Sequence, residues 1–90
     1  MRMDIPAFGL AVGVIWAAAI FVVAVANLVV PGYGRAFLDF AASIYPGFHP
    51  GTGAGSVVSG TLWGLVDGFV GGALFAWLYN LIARRRPETA

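Results

Sequence analysis

The run "SGTLWGLVDGFVGGALFAWLYN", Ser59 to Asn80, holds a single ionisable group, Asp67, among glycine, aliphatic and aromatic residues. A lone carboxyl in such surroundings can bond across helices, line a wet passage, or carry a proton. A donor for the first role stands one helical turn earlier, the Trp63 indole. The side-chain amides in the long apolar stretches are Asn27 and Asn80. His49 is the one histidine and has no cysteine and no nearby carboxylate at ligand spacing, so it reads as a solvated loop residue and no metal site is expected. "GTGAGS" suggests a phosphate loop but lacks the lysine of a P-loop and the spacing of a dinucleotide fingerprint. With no paired carboxylates and no nucleophile beside a base, no catalytic residue, cofactor or enzyme activity is expected.

What Asp67 does depends on its solvent. The chain is 60% hydrophobic and 10% charged, whereas soluble domains average about 25% charged. Apart from Asp67, every charged residue lies near a terminus or between positions 33 and 40. The absence of cysteine excludes disulfides and thiolate ligands. A net charge of +1 without a cationic cluster on a wet face argues against nucleic acid as a partner.

The elements that must position Asp67 follow from hydropathy. Residues 5–30 are apolar apart from Pro6, Gly9, Gly13 and Asn27, and about 20 such residues cross a hydrocarbon core. Too long for a signal h-region, this run is expected to be a retained first transmembrane helix. Residues 57–83 form the second expected span. Between them, residues 33–45 place Phe37, Phe40, Ala41 and Ile44 on one helical face, opposite Arg35, Asp39 and Ser43. That pattern predicts a short amphipathic helix in the membrane interface, with Tyr33 and Tyr45 at headgroup level. Residues 46–56 carry turn chemistry and are expected to form a Gly/Pro loop, and 84–90 a short tail. The predicted architecture is all-α: a single membrane domain built as an antiparallel two-span hairpin.

In the second span Gly60, Gly64, Gly68, Gly72 and Ala76 recur every four residues, continued by Asn80. Small residues at this spacing let helix backbones approach closely. Gly9 and Gly13 of the first span, followed by Ala17, are a shorter counterpart, which leaves Gly60 to Gly68 for another chain. Asp67 sits on the edge of this face, about 60° from Gly64. Trp63, Trp77 and Tyr79 read as interface anchors. Arg84, Arg85 and Arg86, with Arg2, outweigh Arg35 and predict both termini on the cytoplasmic side, near lipid headgroups.

The string from Asp67 to Asn80, with "SIYPGF" and "VIWAAAIF" upstream, resembles short prokaryotic two-helix membrane proteins labelled bacteriophage holin-like or left as a domain of unknown function. The resemblance covers nearly the whole chain and marks Trp63, Gly64, Asp67, Gly68, Gly71, Gly72, Trp77, Tyr79 and Asn80 as signature positions. It implies a multi-pass protein of the cytoplasmic membrane that assembles into lesions or pores. The leading functional expectation is therefore a holin-like or channel-like homo-oligomer, self-associating through the glycine ladder in membrane lipid. The alternative is an accessory subunit of a larger membrane complex, its ladder docked on a partner helix and Asp67 bonded to that partner.

Overall fold

A computed structural model describes residues 3–84, which form three α-helices. Helix α1 (Ile5–Val29) starts where Asp4 caps it: the Asp4 Oδ1 accepts the Ala7 N–H at 3.2 Å, and Pro6 occupies the first turn. It stops at Val30, whose extended backbone is the conformation favoured before Pro31. Helix α2 (Arg35–Ile44) follows Gly34, which takes a left-handed φ of 64° and lies against Val23, where a larger residue would meet both backbone strain and a clash. Helix α3 (Ala54–Arg84) begins three residues before the expected 57. The turn is completed at Gly53 (φ 108°), and the Ser56 N–H and hydroxyl both donate to the Gly53 carbonyl, so "GAGS" is spent on the first helical turn.

Helices α1 and α3 are long and apolar enough to cross a membrane, with mean hydropathies of 2.6 and 1.5 over their best windows. They pack against each other along most of their length through small residues. A Cβ placed on Gly72 would stand 3.0 Å from the Gly9 Cα, one on Gly68 2.7 Å from the Gly13 Cα, and one on Gly64 3.3 Å from the Ala17 Cα. As numbers rise along one helix they fall along the other, so the two run in opposite directions. The seam accepts no added carbon, because the facing atoms are backbone and cannot rotate away.

Ladder residues Gly60, Gly64, Gly68, Gly72 and Ala76 are all buried, and this corrects the expectation that half of the ladder is open. Gly60 faces Phe48 and Ile20, Gly64 faces Ile20 and Ala17, and Gly68 faces Gly13, Val12 and Trp16. The connecting segment folds back and delivers Phe48 onto the ladder, so Gly60 to Gly68 present no free face to a second chain.

That fold-back also moves α2. Gly34 lies at Val23, the Phe37 ring meets Trp16 edge-on at 5.7 Å, and Tyr45 reaches Trp16 as well, so α2 descends beside α1. The chain then returns past Ile20 at Phe48 and past Asn27 at Gly51. Leu38 and Ala41 are buried in this contact, while Phe40 and Ile44 stay exposed beside Arg35, Asp39 and Ser43. The apolar face of α2 is thus split, one edge against α1 and the other turned outward. A core of Ile20, Ala24, Leu38, Ala41, Tyr45, Phe48 and Val57 fills the half of the molecule where all three helices meet.

Candidate functional site

Three segments converge on Asp67. From α1, the Trp16 Nε1–H donates to the Tyr45 hydroxyl at 2.8 Å. The Tyr45 hydroxyl in turn donates to Asp67 Oδ2 on α3, also at 2.8 Å. Tyr45 is the extended residue ending α2, directly before Pro46, and this is what swings its ring off the helix and into the α1/α3 cleft. The ring is locked there by Trp63, stacked at 5.9 Å and nearly parallel at 8°, and by Phe48 at 6.4 Å. Trp63 is itself fixed, its indole N–H donating to the Pro46 carbonyl at 3.0 Å.

The expected roles shift accordingly. Tyr45, predicted as a headgroup anchor, is only 3% exposed and holds the carboxylate instead. Trp63 does not donate to Asp67; it supports the tyrosine that does. Both corrections have one cause: the fold-back brings residues 45 to 48 to the level of Trp16 and Trp63, well inside the rod.

Asp67 itself is exposed on the outer surface of α3, close to the middle of that helix. Beside it is a hollow of about 200 Å³ lined by Ile44, Tyr45, Trp63, Val66, Asp67 and Val70. A second hollow of about 520 Å³, lined by Gly55, Val58, Ser59, Leu62, Trp63 and Val66, shares Trp63 and Val66 with the first. Together they make one furrow along α3, from its first turn to Val70.

The direction of the bonds limits the chemistry. An indole N–H donates and cannot accept, so a proton passed from Asp67 to Tyr45 has no onward acceptor at Trp16. The triad therefore holds and aims the Asp67 carboxyl, and along this line of bonds Trp16 offers no acceptor for onward transfer. Polarisation along the two bonds makes Tyr45 a stronger donor to Asp67 than an isolated phenol.

The remaining polar candidates tie the chain to itself. Asn27 is buried and its Nδ2 donates to the Tyr33 carbonyl at 2.9 Å, closing the turn after α1. Asn80 clasps the start of the described chain: its Oδ1 accepts the Met3 N–H at 2.7 Å and its Nδ2 donates to the Met3 carbonyl at 2.8 Å. His49 is exposed and its carbonyl accepts the Thr52 hydroxyl. Tyr33, Trp77 and Tyr79 are exposed, and Arg84 is exposed at the end of α3. Arg2, Arg85, Arg86 and the rest of the tail lie outside the described residues. Comparison with protein-family models, curated proteins and solved structures gives no match to this chain.

Proposed function

We propose that the protein is a non-enzymatic, multi-pass membrane protein in which α1 and α3 both cross the bilayer as a hairpin, and that it serves as a subunit of a larger membrane assembly. The membrane reading is supported by side chains such as Ile15, Val22, Val29 and Leu74, which are 71%, 62%, 75% and 60% exposed; an apolar surface of this extent is stable in lipid. The arginine distribution supports termini on the cytoplasmic side, with the turn after α1 and the loop before α3 on the other face.

One observation carries the subunit reading. The small-residue seam is used within the chain, while the carboxylate of Asp67 is held outward near mid-span, where leaving it to lipid costs a few kcal/mol. A neighbouring chain covering this face removes that cost. The holin-like, self-assembling reading is favoured by a different observation: within the stretch that resembles those proteins, Phe69, Val70, Leu74, Phe75, Trp77 and Leu78 all point outward, a surface that further copies can share.

Native mass in nanodiscs distinguishes the two. A subunit runs as a monomer or small unstable species when expressed alone and co-purifies at constant stoichiometry with other chains from its own membrane. A discrete homo-oligomer from the isolated protein replaces that conclusion with self-assembly.

A further inference from the structure

The furrow beside Asp67 specifies what seats in it. Ile44 and Tyr45 wall it beside Asp67; the rest of its lining comes from one face of α3, where Gly55, Ser59, Leu62, Val66 and Val70 follow one another at three- and four-residue steps. From Gly55 to Leu62 the lining is α3 alone, so a small molecule there would be enclosed on one side only, whereas ligand sites bury most of their ligand's surface. The length from Gly55 to Val70, about 22 Å at the helical rise, instead fits ridge-into-groove contact with another helix. Charge selects among helices. Tyr45 satisfies one oxygen of Asp67, and among the described residues no cation faces it: Arg35 is paired with Asp39 at 3.0 Å, and Arg84 lies more than four turns further along α3. Intramembrane acids pair with intramembrane bases when a base is at hand.

We propose that the furrow of α3 receives a transmembrane helix of a partner protein that carries one lysine or arginine near mid-span, its cationic group seated on Asp67 in the frame built by Tyr45 and Trp63. The inference rests on the subunit reading and adds the chemistry of the partner. Gly55 and Ser59 leave room for the approaching backbone, and Trp63 marks the middle of the contact.

The test uses the full chain in lipid bilayers with a synthetic leucine/alanine host helix of about 22 residues bearing one central lysine, the association read by energy transfer between dyes on the two. The lysine helix is expected to associate at least about tenfold more tightly than the same helix with leucine at that position, the factor produced by one modest ion pair. Asp67→Asn, which keeps an acceptor for Tyr45, removes the difference; Ser59→Trp fills the furrow without touching the acid and weakens binding of the lysine helix. Equal binding of the lysine and leucine helices overturns the proposal, as does a lysine preference that survives Asp67→Asn or is untouched by Ser59→Trp. Helix content by circular dichroism confirms that each variant is folded. If a natural complex keeps its mass with Asp67→Asn, the subunit reading stands and the cationic partner is wrong; loss of both places them together.

Discussion

At the scale of single residues, Tyr45 ties three segments of the chain together. It joins Trp16, 29 positions earlier, to Asp67, 22 positions later, through one hydroxyl. Tyr45→Phe removes both bonds and strands the Trp16 N–H and one Asp67 oxygen, whereas Trp16→Phe removes one bond and leaves the Tyr45–Asp67 contact in place. The first variant is expected to lose about 1–3 kcal/mol, and more than the second, because unpaired polar groups cost more than absent ones. Denaturant titration of the purified protein in mild detergent, followed by helix content, measures both; equal losses would show that the Asp67 bond contributes little. None of this pairing is legible in a linear pattern. The requirement that Asp67 find a donor is readable, since a carboxyl in a long apolar helix needs one, and the local rule points to Trp63 one turn away. The donor arrives from the connecting segment because Pro46 sets the preceding backbone extended, a signal visible in "YP" but silent about where the ring lands.

At the scale of elements, the long helices and the small-residue seam are plain in the sequence: 25 and 31 residues of apolar helix, and glycines at intervals of four. The start of α3 was less legible, because "GAGS" has the composition of a loop and becomes helical only through the Gly53 turn that Ser56 ties off. The position of α2 was not legible. Its amphipathic pattern reports that one face is apolar, and a lipid interface and the flank of α1 satisfy that pattern equally well. Two glycines of α3 test how far the seam governs stability. Gly68→Ala sets a carbon against the Gly13 backbone and is expected to destabilise the isolated protein by about 1–3 kcal/mol, the cost of overpacking a tight contact. Gly71 has no atom within 4 Å of where its Cβ would stand, so Gly71→Ala is expected to be neutral or stabilising by up to about 1 kcal/mol through helix propensity. Thermal unfolding of both variants in one detergent decides the matter; similar losses at the two positions would mean that propensity, not the seam, dominates.

At the scale of the molecule, the protein is a rod with extents of 54 × 20 × 19 Å. Its two halves are built differently. Where α2 and the fold-back join, large side chains interlock around Ile20 and Leu38; nearer the termini, α1 and α3 hold each other by backbone approach, the Phe8–Phe75 ring stack at 5.4 Å and the Asn80 clasp. The terminal half depends more heavily on a few contacts. Asn80→Leu is expected to release the first turn of α1 while leaving the three-helix half intact, seen as faster amide exchange confined to residues near Met3 to Phe8. Exchange that quickens equally around Ile20 and Leu38 would instead show a single cooperative unit.

The Asn80 clasp also has a bearing on the order of events during synthesis. Met3 leaves the ribosome well before Asn80, so this contact cannot form until α3 has been made nearly to its end. The seam can begin at its Gly60–Ile20 end and close toward Gly72–Gly9, with the Asn80 side chain meeting the Met3 backbone only when that closure is complete. The clasp is in this sense a completion mark for the α1/α3 seam: a chain stalled with α3 unfinished has an α1 whose beginning is untied, and that loose end distinguishes it from one whose seam is closed.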